Sequence, residues 1–280
     1  QIRARPGWRK AVDPVTRCGV GDGAGDGRGL WRFDGDAHTF GTMQAAKIRL
    51  CVDHPLGPGQ SVPLTEAQAH YLFGVMRLGV GGPVLLFNGR DGEWLGRVAE
   101  AGKRRGALVC EGQARAQDMP PDLWLLFAPL KKARTDFVVE KAVELGVRRI
   151  VPVQTDFTSA DRVRRDKMIA HAVEAAEQCG AMTVPEVAEV QLLAKVLAGW
   201  SKERALIFAD EGMDSATAAM PPAPAAILIG PEGGFSDAER MRLRALPFVS
   251  PVPLGPRILR AETAAVAAVT LWQAAQGDWR

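Results

Sequence analysis

The sequence predicts an α/β protein in which a small β-rich domain precedes a mostly parallel sheet covered by helices on both faces. Three patterns lead to that expectation. From residue 122 onward, apolar runs of strand length alternate with longer segments of helical period, as in a parallel sheet with crossover helices. Between residues 47 and 116 the apolar runs are short and turn signals recur every 8–12 residues or so, roughly the spacing of a small barrel. Two of the later strands run straight into glycine-bearing turns that open a helix, at Gly230 and at Gly255.

The elements follow in order. Residues 1–42 carry glycine at every second position from Gly19 to Gly29, interleaved with Asp22, Asp26 and Arg28. No helical or strand period survives there, so this stretch reads as a disordered leader or a mis-assigned start, with Met43 as a plausible initiator. Ile48 to Val52 and Ser61 to Leu64 are short strands. Thr65 and Gln68 form a capping box for a helix over Glu66–Met76. Pro83–Phe87 is a strand running into Asn88-Gly89, a hairpin signal. Trp94–Val98 and Ala107–Cys110 flank the basic turn Lys103-Arg104-Arg105, and residues 112–121 read as a linker. The expected domains are therefore 43–117 and 118–280.

In the second domain, strands are expected at Leu123–Ala128, Val147–Val153, Arg204–Ala209, Ala225–Ile229 and Val249–Leu254. Helices are expected at Thr135–Leu145, Arg162–Cys179, Ser236–Ala245 and Glu262–Gln276. Gly146 and Gly180 stand where a helix C-terminus wants glycine.

Composition excludes several classes. With 47% hydrophobic residues and 24% charged, the chain of 280 residues is neither a disordered polymer nor a collagen-like fibre. Its longest strongly apolar stretch, Ala264 to Ala275, is shorter than the roughly 20 residues of a bilayer span. The net charge of +3 hides an asymmetry: residues 1–116 hold 16 Lys/Arg against 11 Asp/Glu, and the remainder holds 19 against 21. That weakly favours a polyanion facing the N-terminal part. Cys18, Cys51, Cys110 and Cys179 form no CxxC pair and share no ligand spacing with the histidines, so no metal site is expected. Scattered cysteines and the lack of a secretory signal point to the cytoplasm. Cys179 reads as a packed core thiol.

Two motifs carry the chemistry. Leu228-Ile229-Gly230-Pro231-Glu232-Gly233-Gly234-Phe235-Ser236 is a strand, a glycine turn and a helix start, with Ser236 and Glu239 as a second capping box. Glycines let backbone approach a ligand at the carboxyl end of a parallel strand. No Gly-Lys-Ser/Thr follows, and Glu232 would repel a polyphosphate. Leu254-Gly255-Pro256-Arg257-Ile258-Leu259-Arg260-Ala261-Glu262 repeats the arrangement with two arginines and a glutamate. Two such turns suggest one shared small-molecule cleft. Lys131, Lys132 and Arg134, and again Arg162, Arg164 and Arg165, place basic charge at helix starts against the macrodipole. They are either solvated or RNA phosphate contacts.

Together, KARTDFVVEKAVELGV from Lys132, EQCGAMTVPEV from Glu177, LIGPEGGFSDAE and LGPRILRAETAA resemble the RsmE-type 16S ribosomal RNA uracil N3-methyltransferases. The resemblance covers residues 47–280, with Ala261 standing where many members have threonine. It implies a SPOUT-type methyltransferase domain with a C-terminal trefoil knot, a PUA-like N-terminal barrel for RNA, and a homodimer. It implies S-adenosylmethionine as methyl donor, and as target the uridine numbered 1498 in 16S rRNA of the 30S subunit. The donor would be held by Ile229, Gly230, Pro231, Glu232, Gly233 and Gly234 with Leu254, Gly255, Pro256, Ile258 and Leu259. No metal and no membrane enter. On this reading Arg260 or Arg257 stabilises charge developing on the uracil oxygens, and Glu262 is the candidate base for the N3 proton. A SPOUT enzyme acting at another RNA position and an assembly factor without catalysis are the competing readings.

Overall fold

The computed structural model describes residues 46–159, 163–213 and 220–279. The expectations for residues 1–42, Met43 and Arg162 lie outside the described residues, as does the Lys132 side chain.

Two sheets organise the chain. The first contains β1 (Arg49–Cys51), β2 (Ser61–Pro63), β3 (Pro83–Phe87), β4 (Glu93–Ala101) and β5 (Gly106–Arg115), in the spatial order β1-β3-β4-β5-β2. All neighbours are antiparallel except β1 with β3. β1 and β2 remain edges, so the barrel is open along one seam. Leu50, Val62, Leu86 and Leu108 from four of its strands close over a single core.

Helix α1 (Glu66–Ala69) starts at the expected capping box, with Gln68 N–H donating to Thr65 Oγ1 at 3.2 Å and Thr65 N–H to Gln68 Oε1 at 3.0 Å. Gln68 Nε2 also donates to the Cys51 carbonyl at 2.9 Å, which ties α1 to β1. Past Ala69 the expected helix widens into a π-helical turn over His70–Val75. Gly74 accompanies that widening, since a Cβ there would sit 3.0 Å from the His70 ring.

Asn88-Gly89 opens the expected hairpin, in which β3 pairs antiparallel with β4, but the connection is longer than two residues and runs over 88–92. Asn88 Oδ1 accepts from Arg90 N–H at 3.0 Å and Asp91 N–H at 2.9 Å, a side-chain turn that needs the longer loop. The linker is shorter than the expected 112–121, because β5 stays paired with β4 as far as Arg115.

The second sheet contains β6 (Leu123–Phe127), β7 (Arg149–Gln154), β8 (Glu186–Val187), β9 (Gln191–Leu192), β10 (Ala205–Ala209), β11 (Ala225–Ile229) and β12 (Val249–Val252). The order is β12-β10-β11-β6-β7-β8, with β9 also on β7, and every pairing is parallel. All carboxyl ends therefore share one edge, where open α/β sheets place ligands. The helices are α2 (Lys132–Glu144), α3 (Arg165–Cys179), α4 (Leu193–Ala198), α5 (Asp237–Arg244) and α6 (Ala261–Gln276). Val139, Ala172 and Trp272 bring α2, α3 and α6 onto one face with Ile150. Leu197 and Leu243 bring α4 and α5 onto the other with Phe208. Helices thus cover both faces, as expected. β8, β9 and α4 lack a counterpart in the sequence reading, since two-residue strands and a six-residue helix show no usable period.

The first sheet docks on the C-terminal end of α3. Arg49 Nε donates to Glu93 Oε1 at 2.7 Å, and its terminal nitrogens donate to the carbonyls of Ala176, Glu177 and Ala181. Arg115 reaches Glu93 Oε2 and the Gly180 carbonyl, each at 2.8 Å. These guanidinium groups satisfy carbonyls that a helix end leaves without intrahelical partners. Burial would raise the Glu93 carboxyl, but Arg115 and Arg49 hold it below its ordinary range. Nearby, Glu177 Oε1 accepts from Cys51 N–H at 2.9 Å. Burial pushes the Glu177 carboxyl up, and burial with Glu177 and Asp53 pushes the Cys51 thiol up to about 11.

Candidate active site

Three adjacent strands, β12, β10 and β11, send their turns into one cavity of about 650 Å³ on the carboxyl edge. Ile229, Gly230, Pro231, Glu232 and Gly234 line it from the turn after β11. Leu254, Gly255, Pro256, Arg257, Ile258, Leu259 and Arg260 line it from the segment between β12 and α6. The cleft expected from two glycine turns is therefore a single space.

The third wall, Ala209, Asp210, Glu211 and Met213 after β10, is not part of the sequence reading. Its signal is present, since Asp210-Glu211-Gly212 is again a polar, glycine-bearing exit from a strand. The Asp210 side chain is fully buried and accepts from Arg240 at 3.1 Å and Arg244 Nε at 2.8 Å. Arg240 also pairs with Glu211. Burial disfavours the Arg240 charge, but Glu211 and Asp210 outweigh it and raise its pKa.

Glycine is required at two points of the wall. A Cβ at Gly230 would lie 2.7 Å from the buried Phe235 ring, which stands edge-on to Phe208 at 5.1 Å. Gly234 has φ +71, and a Cβ there would lie 2.5 Å from Glu211 Oε1. Backbone itself thus forms this part of the cavity. Gly233, expected in the wall, does not line it: a Cβ on Gly233 would point at Phe157, 3.4 Å from that residue's Cβ.

The second capping box holds the turn in place. Glu239 N–H donates to Ser236 Oγ at 3.2 Å and Ser236 N–H to Glu239 Oε2 at 3.0 Å. The turn after β7 is fastened to the same point, with Asp156 N–H donating to Glu239 Oε1 at 3.0 Å and Ser236 Oγ to Asp156 Oδ2 at 2.5 Å.

The charged residues divide. Arg257 and Arg260 are exposed at the cavity, and neither is held in an ion pair among the described residues. Glu262 sits just behind the wall with its side chain 16% exposed, and Oε1 lies 3.5 Å from Arg134 Nε. Its Oε2 is buried without a hydrogen-bond partner among the described residues. Arg134 also reaches Glu232 at 3.4 Å, so it bridges the turn after β11 and the start of α6. The sequence groups Arg134 with phosphate contacts, whereas the structure puts it in the cavity wall between two carboxylates. Lys131 is exposed at the start of α2. Arg164 is exposed and pairs with Asp166 at 2.6 Å. Arg165 donates to the Val187 carbonyl at 2.7 Å, which ties α3 to β8. Cys179 is exposed and not a core thiol, because it is the last residue of α3. No group of three metal-ligating side chains occurs among the described residues.

A cavity enclosed by strand-end turns at the carboxyl edge of a parallel sheet is where open α/β folds bind small ligands. Residues 117–273 match the family model of an RNA methyltransferase domain, and residues 64–109 that of an RNA methyltransferase PUA domain. The chain belongs to the family of ribosomal RNA small subunit methyltransferase E. It is 32% identical over 221 residues to that protein of Synechocystis sp., covering 75% of this chain and 71% of the relative. It is 26% identical over 228 residues to that of Rickettsia conorii, covering 79% and 93%. A methyltransferase of Legionella pneumophila, solved in complex with SAM, superposes with a TM-score of 0.74 at 29% identity, covering 82% of this chain and 98% of the other. The small subunit methyltransferase E of Neisseria gonorrhoeae, bound to S-adenosyl methionine, gives 0.74 at 28% identity, covering 83% and 99%. The fold class is thus α/β methyltransferase with a preceding PUA-like domain.

Proposed function

We propose that this protein methylates N3 of one uridine in the 16S RNA of the small ribosomal subunit, with S-adenosylmethionine as donor. The cavity shared by three strand-end turns carries the reading. Its 650 Å³ is a ligand-sized volume. Gly230 and Gly234 leave bare backbone to meet an adenosine, and Glu232, though paired with Arg134, keeps negative charge at the wall near a cationic ligand. Ile229 to Glu232, Gly234 and Leu254 to Leu259 would hold the donor, which supplies a methyl group on a positively charged sulfur.

The chain's own residues do the rest. Arg134 locks Glu232 to Glu262 and so keeps the donor turn and the start of α6 in register. Arg260 and Arg257, free at the cavity, stabilise the negative charge that grows on the uracil oxygens as N3 loses its proton. Glu262, two residues beyond Arg260 at the start of α6, is the candidate base for that proton. Residues 43–117 bind RNA and residues 118–280 carry out the transfer. Lys131 and Arg164 supply phosphate contacts from the same edge of the sheet. The C-terminal segment passes through a trefoil knot, a reading supported by α6 leaving the edge strand β12 yet packing on α2 and the central β11.

The protein acts as a homodimer. Support comes from Phe137 on α2 and Leu271 on α6, apolar and exposed on two helices that pack together, and from Ile258, 86% exposed in the cavity segment. Its substrate places it in the cytoplasm, and no helix among the described residues is long and apolar enough to cross a membrane. Mass spectrometry of small-subunit RNA from cells lacking the protein tests the whole reading. Loss of a single N3-methyluridine is the expected result, and an unchanged modification pattern overturns it.

A further inference from the structure

The turn after β7 holds an aromatic ring that the donor cavity does not use. Phe157 is 50% exposed, although a turn on the surface would be served by any polar residue. The turn is also unusually well fastened. Thr155 N–H donates to Thr158 Oγ1 at 2.8 Å, and Asp156 is bonded to both members of the capping box that follows the donor turn. Gly233 lies beside the base of the ring: a Cβ there would stand 3.4 Å from Phe157 Cβ and 3.8 Å from two ring carbons, in ordinary contact. Gly233 is thus turned toward Phe157 and away from the cavity. Both its neighbours, Glu232 and Gly234, line the cavity. A half-exposed aromatic side chain is therefore presented from a well-fastened turn, beside a residue that adjoins the donor site.

Enzymes that modify a base must take it, or find it, out of the helical stack. An unstacked base seeks a flat apolar surface, and aromatic side chains are the usual platform. We propose that Phe157 stacks against an unpaired base of the RNA substrate and so places the strand beside the donor turn. The proposal rests on the methyltransferase reading above.

The test compares Phe157→Ala, Phe157→Leu and Phe157→Trp in the full chain. A 16S RNA fragment is used for single-turnover methylation and for binding by fluorescence anisotropy, with S-adenosylmethionine binding by calorimetry and particle mass by light scattering. Alanine and leucine should each weaken RNA binding and raise the RNA concentration for half-maximal rate about tenfold, the usual loss for one stacked base. Tryptophan should restore both, while donor affinity and particle mass stay unchanged. Leucine as good as phenylalanine would show that bulk and not a π-face matters, and would overturn the proposal. So would loss of donor binding or a changed mass in the alanine variant, which would make Phe157 a packing or subunit-contact residue. If the wild type binds donor but leaves the RNA unmethylated, the enzyme reading falls, and the anisotropy series still decides the stacking.

Discussion

Arginines at opposite ends of the second sheet do opposite work. Where β1 and β5 meet the end of α3, Arg49 is 12% exposed and the Glu93 it pairs with only 4%. The guanidinium groups of Arg49 and Arg115 there face carbonyls and a carboxylate. At the carboxyl edge, Arg257 and Arg260 are exposed without an ion pair among the described residues. A buried charge must be paired, because leaving it alone costs several kcal/mol. An exposed one need not be, so it is available to a substrate. The amino end of the sheet uses its arginines to hold two sheets together; the carboxyl end also pairs Arg134, Arg240 and Arg244 with carboxylates but leaves Arg257 and Arg260 exposed at the cavity.

Substitutions at the two ends should therefore separate activity from stability. Arg260→Ala and Glu262→Gln should each slow single-turnover methylation by about 100-fold, the scale for losing one charge-stabilising donor. Calorimetry should find donor binding and urea unfolding unshifted for Arg260→Ala and only slightly weakened for Glu262→Gln, which loses the charge facing Arg134, and a normal rate at saturating RNA and donor would remove both residues from the mechanism. Arg49→Ala should do the reverse. It strips the α3 carbonyls and leaves Glu93 only Arg115, for a loss of about 2–3 kcal/mol in urea unfolding. Methylation per folded molecule should be unchanged.

Gly230→Ala probes the place where the two effects merge. The added methyl meets the Phe235 ring inside the core, so overpacking should cost roughly 1–2 kcal/mol, and the displaced turn should also weaken donor binding. A variant with normal donor affinity would show that the wall is not backbone-built at that point.

The smallest effect is a pH dependence at the sheet junction. Burial raises the Glu177 carboxyl, so the native state holds that proton more tightly than the unfolded chain does. Its contribution is present below the ordinary carboxylate range, about pH 4, and is lost as pH rises through the raised native value. Glu177→Gln keeps an acceptor for the Cys51 N–H and should raise the melting temperature slightly at neutral pH, with little change in acid. Glu93 has the opposite sign. Its lowered carboxyl stabilises the fold above the ordinary range, and that stability goes as pH falls. Glu93 therefore makes the junction acid-sensitive.

Much of this architecture is legible in the sequence because it is written locally. β3 and β11 occupy the expected residues, and both capping boxes close as expected. Each depends on contacts within a few positions. The same holds for the glycine turns, whose conformations answer to their own residues and the next strand or helix. What local pattern misses is short or distant. β8, β9 and α4 are too brief to show a period. Asp210 and Glu211 look like any polar turn until β10 is placed between β12 and β11.

Sequence was thus enough for the alternation of strand and helix, the two glycine turns after β11 and β12, and the family resemblance those turns carry. Tertiary structure alone decided that three turns and not two enclose the cavity. It alone put Arg134 between Glu232 and Glu262, turned Gly233 toward Phe157, and separated the arginines held in ion pairs from those left exposed at the cavity. The physical reason is that all of these follow from strand order and helix packing. Those bring together groups far apart in the chain, and no local periodicity records which partner a charge will meet.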